Sequence, residues 1–214
     1  MDSFDASQLL PPAFFGRDTV TVAGELLGKI LVSSAGDTVT GGRIVETEAY
    51  LGPGDAGSHA FRGMTPRTSV MFGPPGRTYV YFTYGNHHML NLITERDGVA
   101  GGVLIRAIEP LFGIDEMERR RRGRPLKEIT DGPGKLAAAL GVDLSDYGHE
   151  LGTGRLGVYE APPPGERIGV SGRVGLSAGW EAPLRFYLEG NPFVSKGRTG
   201  PPRKPAARGG RRGT

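Results

Sequence analysis

The chain has 214 residues, with 26 Lys and Arg against 23 Asp and Glu, and contains no cysteine. That length suits one domain with a sizeable core, and the missing thiols exclude disulfides, thiolate zinc sites, iron–sulfur clusters and a cysteine nucleophile. Residues 195–214 hold seven basic residues and no acid, which leaves residues 1–194 at a formal charge of −4.

No apolar run approaches the roughly 18 residues of a membrane-spanning helix. Residues 1–10 lack a basic start followed by an apolar segment, so an intracellular protein is expected. In chain order, Asp18 can cap a short helix through Val22, Ala23, Leu26 and Leu27, closed by Gly28. Residues 29–33 read as extended. Residues 42–50 form a β-branched strand that ends at Gly52-Pro53-Gly54. Residues 78–84 have the strongest β character, and Gly85-Asn86 turns them into residues 89–94 as a hairpin. A strand follows at 103–108, then a helix over 110–122 with Leu111, Ile114 and Met117 on one side. Residues 135–140 make a short Ala-rich helix after a Gly-Pro-Gly turn. Late strands are expected at 168–170, 174–176 and 184–188. Clustered strands with interspersed helices, without regular βαβ alternation, indicate an α+β domain with antiparallel pairing.

Several residues have chemical potential. Glu46 and Glu48 leave the same face of a strand. Spacing alone fits a solvated face. Their neighbours Tyr50, His59, Arg62 and Arg67 fit a general base at the floor of a cleft. On the aromatic strand, Tyr79 and Tyr81 share one face while Val80 and Phe82 point toward the core, and Tyr84 reaches the hairpin end. Tyrosines on a strand are most often packing residues, yet Tyr50, His59, Tyr81 and Tyr84 together suit a surface that stacks planar bases. His87 and His88 face opposite ways and read as structural or solvent-exposed. None of the four histidines has helical ligand spacing, so no metal site is expected. The arginine run at 119–122 reads as a solvated helix end, favoured by the helix dipole. Gly132-Pro-Gly-Lys135 resembles an anion-binding turn without a P-loop pattern.

These stretches together resemble the alkyladenine-type DNA-3-methyladenine glycosylases over nearly all of residues 10–195. The resemblance lies in Arg43-Ile-Val-Glu-Thr-Glu-Ala-Tyr50, Ser58-His-Ala60, Thr65-Pro-Arg67 and Tyr79-Val-Tyr-Phe-Thr-Tyr-Gly85. It continues in Leu90-Asn91, Leu104-Ile-Arg-Ala-Ile-Glu-Pro110, Gly132-Pro-Gly-Lys-Leu136 and Pro183-Leu-Arg-Phe-Tyr187. Eight motifs in matching order make it specific.

The resemblance implies a single compact α+β domain over residues 1–195, with a curved, largely antiparallel sheet, surrounding helices and a protruding hairpin. It implies a monofunctional base-excision enzyme that flips alkylated or deaminated purines from duplex DNA, without a cofactor. Glu48 would activate water, with Glu46 in a supporting part and Arg106 positioning the nucleotide or water. Tyr50 would stack on one face of the base, and His59 and Tyr81 on the other. Asn91 would discourage the amino group of guanine. Tyr84 would be the wedge left in the duplex, and Thr65, Arg67, Gly134 and Lys135 would contact the backbone. Asn86-His87-His88 and Met64 depart from the family pattern, where larger apolar and basic residues are common, and point to weaker wedging and one phosphate contact fewer. A cytosolic bacterial monomer is expected. Residues 196–214 read as a disordered basic tail adding salt-sensitive affinity. Two alternatives stand beside this: a Schiff base formed by Lys135 or Lys29, or a non-catalytic protein that recognises damaged DNA through the same pocket.

Overall fold

A twelve-residue strand, Thr40–Leu51, runs through the middle of the molecule with neighbours along both edges. The computed structural model describes residues 6–200 except Tyr84 and Asn86. Its elements in chain order are α1 (Pro12–Phe15), α2 (Thr19–Glu25), β1 (Ile30–Ser33), β2 (Thr40–Leu51), β3 (Thr78–Thr83) and β4 (His87–Ile93). There follow β5 (Gly101–Phe112), α3 (Ile114–Arg120), α4 (Pro133–Leu140), β6 (Leu156–Tyr159), β7 (Ile168–Ser171) and β8 (Arg185–Leu188).

All the strand pairs are antiparallel, in the order β3-β4-β5-β2-β1-β6, with β7 and β8 off this path. β2 changes partner along one edge: Thr40–Arg43 pairs with β1 and Glu46–Glu48 with β8, while β5 occupies the other edge. A strand shared in this way curls the sheet, and helices pack against it. α2 packs on β2 and β5, and α4 on β4 and β5. Their common core includes Val22, Ala23, Leu26, Ile44, Ile105, Ile108, Leu136 and Leu140. α2 starts where the sequence indicates, because the Asp18 carboxylate accepts the Thr21 N–H at 2.8 Å. The architecture is the α+β class expected.

Three local expectations need correction. The strand β5 continues through Pro110, Leu111 and Phe112, and the helix begins only after Gly113, whose left-handed backbone makes the turn. Pairing of Gly41 and Gly42 with Phe112 and Pro110 holds this end of β5 extended, so tertiary pairing overrides the helical pattern. Residues 174–176 form no strand; only Val174 makes bridges, to Thr199 and Gly200. Phe82 is half exposed, with its ring 5.0 Å from that of His88, whereas its face-mate Val80 is buried. The short elements α1 and β6 have no counterpart in the sequence reading. Tyr84 and residues 201–214 lie outside the described residues.

Candidate active site

Two opposed irregularities in the β2–β5 ladder create the site. Ile44 pairs with Ile108 and Glu46 with Ala107, which leaves Val45 as an extra residue on β2. Thr47 then pairs with Ile105, which leaves Arg106 as an extra residue on β5. Bulges re-aim side chains and often sit beside active sites. Here they bring Arg106 against the two glutamates. Thr47, between those glutamates, points the other way and donates its hydroxyl to the Ala23 carbonyl of α2 at 2.8 Å.

Glu46 and Glu48 are completely buried, so the solvated-face reading does not hold. Buried carboxylates persist only when paired and hydrogen-bonded, and each of these is. Glu46 Oε1 accepts from Arg106 Nε at 2.9 Å, Arg185 Nε at 2.7 Å and the Ser195 hydroxyl at 2.8 Å. Its Oε2 accepts the Ser195 N–H at 2.7 Å. Glu48 Oε1 accepts the Val174 N–H at 2.7 Å, and Oε2 accepts the Tyr50 hydroxyl at 2.8 Å. Arg106 Nη1 lies 3.2 Å from Glu48 Oε2. Burial alone would raise Glu46, but Arg106 and Arg185 hold its carboxyl below the ordinary value. Burial would lower Arg106, yet Glu48 and Glu46 keep it firmly charged, above its ordinary value. Burial, reinforced by Glu48, pushes the Tyr50 phenol well up, so this hydroxyl remains a donor.

Tyr50 also faces a cavity lined by Gly57, His59, Met71, Tyr79, Tyr81, Asn91 and Leu176. The His59 and Tyr81 rings meet edge-on with centroids 4.7 Å apart, and His59 Nδ1 lies 3.0 Å from the Tyr79 hydroxyl. Burial first, and then Arg67, lower the His59 pKa from its usual value near 6.5, which keeps the imidazole neutral. A small cluster of Ala60, Met71, Tyr79, Ile93 and Ala100 supports these rings from beneath. Asn91 lies on β4, where its Nδ2 donates to the Tyr79 carbonyl at 3.0 Å, so the amide is fixed.

The sequence-derived site residues thus fall into two groups. Glu48, Arg106, Tyr50, His59, Tyr81 and Asn91 converge on the carboxylate and its adjoining aromatic cavity. Arg67 is at the edge, its guanidinium 5.6 Å from the Tyr81 ring centroid. Thr65 is in an exposed turn, closed by its own hydroxyl against that of Thr68 at 2.9 Å. Gly134 is packed so closely that a Cβ there would stand 2.8 Å from the His87 ring. Lys135 is half exposed and pairs with buried Asp131 at 2.7 Å. Lys29 pairs with Glu160. Neither lysine lines the aromatic cavity.

Four important residues escaped the sequence reading. Arg185 and Ser195 hold Glu46. Arg173, fully buried, grips Asp55 with two nitrogens at 2.7 and 2.5 Å, and its guanidinium carbon lies 4.7 Å from the Tyr50 ring centroid. Asp55 in turn accepts the Leu51 and Gly57 N–H groups and shapes the loop leading to His59. Arg185 lay within a quoted motif, but loop residues 173 and 195 carry no pattern that a single sequence displays.

The geometry is thus a fully buried, hydrogen-bonded carboxylate beside a cavity lined by aromatic rings. Comparison with known proteins makes this specific. The sequence model of the methylpurine-DNA glycosylase (MPG) family matches residues 13–192. A protein of Chlorobaculum tepidum, named "Putative 3-methyladenine DNA glycosylase", is 46% identical over 92% of this chain and 95% of its own length. Proteins of the same name from Chlorobaculum parvum and Methanoculleus marisnigri are 49% and 47% identical, over 89% and 87% of this chain and 92% and 98% of their own lengths. The chain belongs to the methylpurine-DNA glycosylase family. It is a DNA glycosylase, a hydrolase of N-glycosidic bonds, and its class of role is DNA repair.

Proposed function

We propose that the enzyme flips alkylated or deaminated purines, such as 3-methyladenine, 7-methylguanine, hypoxanthine and ethenoadenine, out of duplex DNA and hydrolyses the bond to C1′. The observation that carries this reading is Tyr50, which lines the aromatic cavity and donates its hydroxyl to buried Glu48. A base stacked on that ring would have its C1′ near the carboxylate. Glu48 takes a proton from water as oxygen bonds to C1′ and the C1′–N bond breaks, its electron pair leaving with the base. Arg106 and the Val174 N–H orient Glu48. A purine alkylated at N3 or N7 leaves from a cationic state, so one base suffices. A neutral lesion such as hypoxanthine must be protonated as it departs, and its rate–pH profile has both an acid and a base limb.

Tyr50, His59 and Tyr81 select the base by stacking, with Asn91 set against guanine. Tyr84 is assigned the wedge role, and Thr65, Arg67, Gly134 and Lys135 the backbone contacts. Extrusion costs a few kcal/mol, less at a weakened pair, and stacking returns about 1–3 kcal/mol per ring. The enzyme is read as a monomer of the cytosol. Among the described residues no helix is long and apolar enough to cross a membrane.

The test is single-turnover base release from duplexes carrying hypoxanthine, ethenoadenine, an alkylated purine or uracil. Purine lesions should be released and uracil retained. Glu48→Gln should slow release by about 10²–10⁴-fold while duplex binding persists. Full activity in that variant would remove Glu48 as the base. Absence of release by the parent enzyme would turn the reading toward a damage-recognition protein. A borohydride-trapped adduct would instead bring back the Schiff-base chemistry.

A further inference from the structure

Glu46 is completely buried and its carboxylate takes four hydrogen bonds, from Arg106, Arg185 and twice from Ser195. It is a hub, and one of its contributors comes from 149 residues away in sequence. Ser195 follows Phe193, a core residue just beyond β8. Its backbone N–H and its hydroxyl both donate to Glu46, and Arg106 Nη2 reaches the same hydroxyl oxygen at 3.3 Å. Ser195, Glu46 and Arg106 therefore close a ring of hydrogen bonds. Arg106 is left with Nη1 turned to Glu48.

The chain beyond Ser195 reaches the other side of Glu48. Thr199 and Gly200 bridge to Val174, whose N–H is the donor to Glu48 Oε1. Between these anchors lies Gly197, where a Cβ would stand 2.5 Å from Val174 Cγ1 and 3.4 Å from Arg106 Nη2. The first distance leaves no room for a larger residue without moving Val174, whose N–H touches the carboxylate, while the second is an ordinary contact.

We infer that residues 195–200 form a strap that sets the catalytic carboxylate: Ser195 is a positioning residue that locks Glu46 and so aims Arg106 at Glu48, while Thr199 and Gly200 steady Val174 on its opposite oxygen. The inference rests on the proposed role of Glu48 as base. It assigns to the segment just past the last strand a part in chemistry, where the sequence indicates only the start of a tail.

The test compares Ser195→Ala, Ser195→Thr and Gly197→Val with the parent in single-turnover release of hypoxanthine, alongside the Kd for a duplex bearing an abasic-site analogue and the thermal midpoint. Removing one buried hydrogen bond at a reacting centre should slow release about tenfold. Ser195→Ala should therefore lose rate at unchanged Kd, Ser195→Thr should recover most of it, and Gly197→Val, at an exposed position of the segment, should lose rate at unchanged Kd. Parent-like rates in both Ser195→Ala and Gly197→Val overturn the strap. If Ser195→Ala does not fold, Gly197→Val decides alone. A fully active Glu48→Gln overturns the base assignment and the strap together, whereas an inactive Glu48→Gln beside parent-like Ser195→Ala and Gly197→Val overturns the strap only.

Discussion

At the scale of single residues, the site is an exercise in keeping charge out of water. Glu46 and Glu48 are matched by Arg106 and Arg185, and Asp55 by Arg173, all in buried surroundings. Replacing one member of such a set leaves its partners uncompensated, which costs roughly 3–5 kcal/mol. Glu46→Gln should show this, since it keeps the shape of the side chain but leaves Arg106 and Arg185 sharing less negative charge. The pH dependence has a definite sign. The folded-state pKa of Glu46 is depressed by Arg106 and Arg185 against the effect of burial. Its contribution is therefore complete above the ordinary carboxylate range near 4.5 and is lost as pH falls through the lower, folded value. Urea unfolding at pH 7 should separate parent and Glu46→Gln widely, and the gap should narrow in acid. An equal gap at both pH values would show that the loss in Glu46→Gln comes from altered hydrogen bonding and not from the missing charge. The sequence displays both glutamates and Arg106, because their motifs are contiguous. It does not display that one glutamate is a structural hub, since Ser195 and Arg185 approach it only in the folded chain.

At the scale of elements, the decisive device is the path of β2 between its partners. Where β2 passes β5, Gly42 comes so close that a Cβ would lie 2.1 Å from the Glu109 carbonyl oxygen. That contact is with backbone and cannot be relieved by a side-chain rotation. Gly42→Ala should therefore destabilise the protein by about 3 kcal/mol, read as a lowered urea midpoint. The register downstream of Gly42 contains the paired bulges that present Arg106, so excision by the folded fraction should fall as well. A stable, active Gly42→Ala enzyme would mean that β5 moves away without disturbing the site. The same region shows why the element boundaries were only partly legible. Alternating β-branched residues mark β2 and β3, and a cap marks α2, because these are local signals. Pro110 to Phe112 carry a helical pattern, yet the pairing of Gly41 and Gly42 with Phe112 and Pro110 keeps them extended. Bulges have no comparable local mark, so the two that build the site were invisible.

At the scale of the whole molecule, the positive net charge conceals an acidic body and a basic end. Residues 201–214 contain Arg203, Lys204, Arg208, Arg211 and Arg212 and no acid. They begin from a fixed point, because Gly200 is bridged to Val174, whose N–H donates to Glu48. Fourteen residues span at most about 50 Å even when fully extended. All five cations therefore stay within that distance of the site, the length of about fifteen base pairs at 3.4 Å each. Each phosphate contact they make releases counterions and adds roughly 0.9 to the slope of log affinity against log salt. A chain ending at Gly200 keeps the strap and every residue assigned to the site. Its binding to duplex DNA should weaken at low salt, and the slope should fall by as much as about 4.5. Its single-turnover rate at saturating enzyme should match the full chain if the tail acts only on encounter and residence. An unchanged salt slope would place the whole phosphate grip on the body, despite its negative charge, and would make Arg67 and Lys135 the next residues to substitute.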